Sequence, residues 1–177
     1  FKSFLGMKRI ALTLAVALIG IASYGQGHMK FKGVEMNVKT PKYARQLVKA
    51  GLEMDFRAGR DFYLHGYFAG YESEVAVYSN EEGMPRIVIA TVKGYSWSHV
   101  KRVYDNYTQN LTAKYGEPSY TDHAFLSPYR EGMGNELIAL KNGYVQWRSE
   151  WMLPEGIIMV HISTDTEGNP LVCVSYT

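Results

Sequence analysis

Five histidines, one cysteine and a few closely spaced carboxylates are the residues of this chain that could do chemistry. His28, His65, His99, His123 and His161 show no HExxH spacing, and none neighbours the cysteine in sequence. A dedicated zinc site needs such clustering, so none is expected. Glu72 with Glu74, and Glu150 with Glu155, are carboxylate pairs of the kind glycoside hydrolysis uses. Acidic residues near strand ends are common, however, and neither pair is assigned a reaction. Cys173 lies in the strand-like run LVCVSYT and reads as a buried structural thiol rather than a nucleophile. The chain has no GxSxG elbow and no glycine-rich loop to cradle phosphate. The reading is therefore of a chain with no catalytic residue, no metal and no cofactor, whose polar groups serve binding.

The elements that must position these groups can be read from spacing. TPKYARQLVKAG is a helix, with Thr40 as cap, Pro41 at the first helical position and Gly51 as its left-handed end. Trp97, Val100, Tyr104, Tyr107 and Leu111 recur at alternating spacings of three and four, the stripe of a second helix capped by Ser96 and ended by Gly116 and Pro118. Asn106 and Asn110 head N-x-T patterns inside it and are read as incidental. His99 falls on its polar side.

The rest reads as strands. MKFKGVEM is a short alternating opener. FYLHGYFAGY, SEVAVYS and RIVIATVK follow the first helix. NELIALK, YVQWRSEW, GIIMVHIS and LVCVSYT follow the second. Asn142-Gly143 predicts a two-residue hairpin turn between NELIALK and YVQWRSEW. Glu117 to Gly134 reads as an irregular loop with room for one short strand at DHAFL. Helix then strands, twice over, predicts an α+β fold made of tandem helix-plus-antiparallel-meander units, with both helices on one face of an antiparallel sheet.

Alternation then sorts the side chains. Phe62, Leu64, Phe68, Val145, Trp147, Trp151, Ile158, Val160 and Ile162 fall on the helix-covered side. Tyr63, His65, Tyr67, Tyr71, Tyr144, Arg148 and His161 fall on the uncovered side. Tyrosine with arginine is a composition that protein interfaces favour, because a rigid ring supplies area while its hydroxyl stays wet. The same set would suit sugar stacking, and cross-strand tyrosines also stabilise an exposed sheet face with no ligand at all.

The N-terminal residues bear on location. From Met7, MKRIALTLAVALIGIASYGQ has a basic start, an apolar run from Ile10 to Ala22, and small residues at Ser23 and Gly25 ahead of Gln26. That pattern predicts a signal peptide, with residues 1–25 as upstream residues and leader, and 26–177 as one secreted, periplasmic or extracellular domain. The chain carries 19 Lys and Arg against 17 Asp and Glu. Three of the bases (Lys2, Lys8 and Arg9) and no acids precede Gln26, so the remainder has 16 against 17, a net charge of −1. A near-neutral domain lacks the basic footprint of a nucleic-acid binder. A lipid-bearing cysteine after the apolar run is lacking as well, so no membrane anchor is expected beyond the leader. A single cysteine forms no internal disulfide, and about 150 residues can bury a core without one.

At MKFKGVEMN, FAGYESEVAVYS and LTAKYGEPS the chain resembles a group of small secreted proteins of Bacteroides-type bacteria. That resemblance implies export and a non-enzymatic role. In architecture the doubled helix-plus-meander is similar to the β-lactamase inhibitor protein fold, whose members carry disulfides and bind an enzyme through a sheet face. This chain departs from them in its one cysteine, and none of their binding residues carries over. Together these readings predict an exported binding module that engages a protein partner, inhibitor-like or adaptor, through an open sheet face. Envelope glycan binding or hydrolysis, and a structural role in an envelope assembly, stand as alternatives.

Overall fold

The computed structural model describes residues 27–177, and the leader reading over residues 1–25 lies outside them. A small hairpin, β1 (Lys30–Phe31) and β2 (Val34–Glu35), leads into helix α1 (Thr40–Lys49). A four-strand meander follows: β3 (Leu52–Ala58), β4 (Asp61–Phe68), β5 (Tyr71–Ser79) and β6 (Pro85–Lys93). The second unit repeats the order with helix α2 (Trp97–Tyr115), β7 (Tyr120–Phe125), a short helix α3 (Glu136–Lys141), β8 (Val145–Leu153), β9 (Gly156–Thr164) and β10 (Pro170–Tyr176). The two meanders form one antiparallel eight-stranded sheet, ordered β3-β4-β5-β6-β10-β9-β8-β7. The fold is α+β, a doubled helix-plus-meander.

Both main helices lie on one face. Leu47 and Tyr43 of α1 and Val100, Val103, Tyr104 and Tyr107 of α2 share a core with Phe62, Leu64, Val75, Val160 and Val174 of the sheet. Phe31 of the opening hairpin is fully buried and stacks on Phe68 at 4.6 Å. The caps follow the residues. Ser96 accepts from the His99 amide at 3.1 Å, and Gly116 ends α2 at φ 85°. Thr40 acts differently from the expected cap. It is buried, and its hydroxyl donates to the Gly83 carbonyl, tying α1 to the β5–β6 turn.

Three local assignments change. Leu52–Ala58, for which no strand was expected, is the edge strand β3. Its residues do alternate, Leu52, Met54, Phe56 and Ala58 against Glu53, Asp55 and Arg57, and a bulge between Met54 and Phe56 breaks that alternation in the paired strand. The strand at DHAFL is longer and begins at Tyr120. NELIALK is the helix α3 rather than a strand, because Ala139 and Leu140 pack inward as one turn. A short apolar run fits either period. Gly143, at φ 77°, accordingly ends a helix instead of making a hairpin turn, and its amide bonds to the Leu140 carbonyl.

Trp97 sits half-buried at the rim, so Trp151 is the tryptophan on which the core rests. It is 1% exposed and donates from Nε1 to the Gly116 carbonyl at 2.9 Å. Trp151→Ala is expected to cost roughly 3–5 kcal/mol, read by denaturant unfolding. Gly51 closes α1 at φ 94°, with open space where a side chain would stand. Gly51→Val is expected to lower stability by about 1–2 kcal/mol through backbone strain alone. A melt at the parent temperature would refute that role.

Candidate functional site

The face away from α1 and α2 carries no helix among the described residues, and pairing register assigns its residues one by one. Glu53 pairs with His65, His65 with Glu74, Glu74 with Thr91, and Thr91 with Cys173. Cys173 pairs with His161, His161 with Arg148, and Arg148 with Asp122. One polar row thus crosses all eight strands. The adjoining row runs Phe56, Tyr63, Ala76, Ile89, Ser175, Met159, Glu150 and Tyr120, and is mostly apolar. The open face is therefore striped, polar beside apolar.

Of the seven residues expected on this face, five are there. Tyr63, His65 and Tyr67 lie on β4, Arg148 on β8 and His161 on β9. Tyr71 is not. The turn at Ala69-Gly70 has two residues, so Tyr71 pairs directly with Phe68 and shares its helix-side face. There it meets the ring of Tyr107 at 5.5 Å and accepts a hydrogen bond from Asn106 of α2. Counting odd and even positions across a turn had moved it to the wrong side. Tyr144 also leaves the set, because it precedes β8 and packs against Tyr129 of the loop after β7, ring centres 5.2 Å apart. His65 and His161 share a row but do not meet. Four strand spacings, about 19 Å at ~4.8 Å each, separate them.

The row has two different ends. On β3–β6, Asp55 Oδ1 lies 2.5 Å from His65 Nδ1, and Glu53 Oε2 lies 3.6 Å from His65 Nε2. Lys93 Nζ lies 2.6 Å from Glu74 Oε1, with both side chains well exposed. Such pairs add little to stability. Beside them Phe56 stacks on Tyr63 at 4.5 Å, and Tyr63 meets Tyr78 edge-on at 6.3 Å. These rings and Asp55, Glu74, Ala76, Ile89, Thr91 and Cys173 line a groove of about 480 Å³. Glu53, Asp55 and Phe56 escaped the sequence reading because β3 did. Once that strand is recognised, its register brings them in.

Toward β7–β9, the Arg148 guanidinium lies over the Tyr120 ring at 4.9 Å, and its Nη1 is 3.4 Å from Glu150. His161 is half-buried between Arg148 and Cys173, and its Nδ1 has no hydrogen-bond partner among the described residues. Burial, then the Arg148 charge, holds its imidazole below the ordinary histidine range. The Cys173 thiol is pushed up by burial, with Thr91 Oγ1 at 3.6 Å from its sulfur. A raised thiol is a weak nucleophile, and the sulfur turns to threonine rather than to the neighbouring histidine.

Other chemistry-bearing groups are tied up elsewhere. His123 is on the helix side, its Nε2 2.8 Å from the Tyr104 hydroxyl, which lies 2.7 Å from Ser149 Oγ. Ser149 is 3% exposed, so this chain of hydrogen bonds clasps β7 to α2 without reaching solvent through the serine. Burial raises the Tyr104 phenol to about 12. His99, expected on a solvated face, stacks on Tyr95 at 4.2 Å and is lowered by burial. Glu72 and Glu74 share the open face of β5, whereas Glu155 sits in the β8–β9 turn, beyond the end of the strand that carries Glu150. Among the described residues no group of three or more His, Cys, Asp or Glu could hold a metal ion, and no helix is long and apolar enough to cross a membrane.

His161 makes the pH dependence of the fold a test of this geometry. In the unfolded chain a histidine binds its proton near pH ~6.5, while the buried ring stays neutral to lower pH. The stabilisation is complete above that value and is lost as pH falls through it to the native pKa. His99 and His123 are lowered too and act with the same sign. His161→Gln is expected to flatten, without abolishing, the fall in unfolding free energy between about pH 7 and 5. An unchanged slope would refute a buried neutral His161. No protein-family model, no curated protein and no solved structure matches the chain.

Proposed function

We propose that this chain is an exported, non-catalytic binding module that engages a protein partner through the open face of its sheet. One observation carries the reading: eight registered strands leave a polar row and an apolar row side by side on a face that no helix among the described residues covers. Phe56 is 57% exposed and Tyr67 is 67% exposed there, while Ile157 and Met152 continue the apolar surface on β9 and β8. Exposed aromatic area, with Arg148 over Tyr120 elsewhere on the same face, is what protein interfaces select, since rings bury much surface at little entropic cost. The reading of export rests on the leader pattern of residues 7–25.

The test compares the parent chain with a Tyr67→Ala, Arg148→Ala double variant in capture from envelope and secreted fractions, read by mass spectrometry. Both side chains stand in solvent, so the variant is expected to melt at the parent temperature. Capture of a saturable protein partner is expected to weaken by about tenfold or more. Undiminished capture would show that the partner lies on another surface.

A further inference from the structure

We infer that the groove between the Phe56, Tyr63 and Tyr78 rings and the Asp55 and Glu74 carboxylates takes an arginine side chain from a basic segment of the partner polypeptide. The inference rests on the reading of the open face as a protein-binding surface and adds the chemistry of what it binds.

Two independent features meet in this groove. The first is aromatic. Phe56 and Tyr63 lie parallel, 12° apart in plane, and Phe56 keeps more than half its surface in solvent. A guanidinium stacks on such a face, attracted by its π electrons. The second is charge. The open face of β3–β6 carries Glu53, Asp55, Glu72 and Glu74 against one lysine, Lys93, and His65. Residues 27–177 as a whole are near neutral, so this acidity is local. Asp55 commits Oδ1 to His65 and Glu74 commits Oε1 to Lys93. Each contact uses one oxygen of its carboxylate, so Asp55 Oδ2 and Glu74 Oε2 remain as further acceptors. A flat cation with five donors can stack on the rings and reach a carboxylate at the same time; an ammonium, with its charge at one point, does only part of this.

The occupant is a polypeptide rather than a free small cation. Ala76 and Ile89 of the apolar row line the groove, and Met159, beyond Ser175, with the exposed Ile157 and Met152 lies further along that face. A lone guanidinium would leave that surface in water. A partner segment with apolar residues beside its arginine would cover both stripes.

The experiment pans a displayed library of short random peptides against the immobilised full chain, then measures the selected peptides by calorimetry at low and high salt. The expected result is enrichment of an arginine next to apolar residues, affinity that falls as salt rises, and loss of about tenfold in an Asp55→Asn, Glu74→Gln variant. Replacing the peptide arginine by lysine is expected to weaken binding as well. Peptides that bind without any cation, ignore the carboxylate variant and are lost with Phe56→Ala would overturn the arginine inference while sparing the protein-binding face. Peptides indifferent to both variants, or no enrichment, would overturn the face itself. Free arginine binding as tightly as the peptides would overturn the polypeptide occupant. Each variant is accepted only if its melt matches the parent.

Discussion

β6 and β10 hydrogen-bond over six registered pairs, from Leu171 opposite Lys93 to Tyr176 opposite Val88, and this pairing makes two half-structures into one. Each is the last strand of its own meander, so the two units meet through their final strands and their helices end up on the same side. Val88, Ala90, Val92, Val172, Val174 and Tyr176 from this seam are all buried in the common core. Without the seam, each four-strand sheet would expose one more long apolar edge of unpaired amides. The seam also sets the phase of everything across it: a slip of one residue would turn every side chain of the second unit to the other face.

The open face inherits its order from that register. Eight strands held in phase convert scattered polar residues into one continuous row and place an apolar row beside it. The two sides of the sheet solve different problems. The helix side packs large rings and closes its polar groups locally, as Tyr104, His123 and Ser149 do. The other side leaves rings, carboxylates and Arg148 exposed, and two half-buried groups, His161 and Cys173, are shifted toward their neutral forms by desolvation. Burial works against the charged thiolate that nucleophilic chemistry needs.

Edge strands explain most of what the residues alone did not reveal. β3 and β7 lie at the two margins of the sheet, where most positions are exposed; β7 alternates weakly, and the short alternation of β3 is interrupted in the paired strand by its bulge. β3 carries three charged residues in seven and a bulge, and it supplies Asp55 and Phe56 to the acidic groove. α3 was unreadable for another reason: six residues are too few to show a period, and a glycine of positive φ ends a helix as readily as it turns a hairpin.

By itself, the sequence determined the two main helices, with Ser96 opening and Gly116 closing α2, the α+β class, the doubled order of elements, and the inward set of Leu64, Trp151, Ile158 and Val160, because these follow from local periodicity and caps. It also placed Tyr63, His65, Tyr67, Arg148 and His161 outward, since alternation within a strand is a local rule. Tertiary structure alone decided that Tyr71 faces the helices, that Tyr144 stands off the sheet, that His65 and His161 are far apart, and that Asp55 and Phe56 share a groove with Glu74. Those facts depend on turn length, strand order and register between segments distant in the chain, and pairing energy across the whole sheet selects them rather than any one segment's pattern.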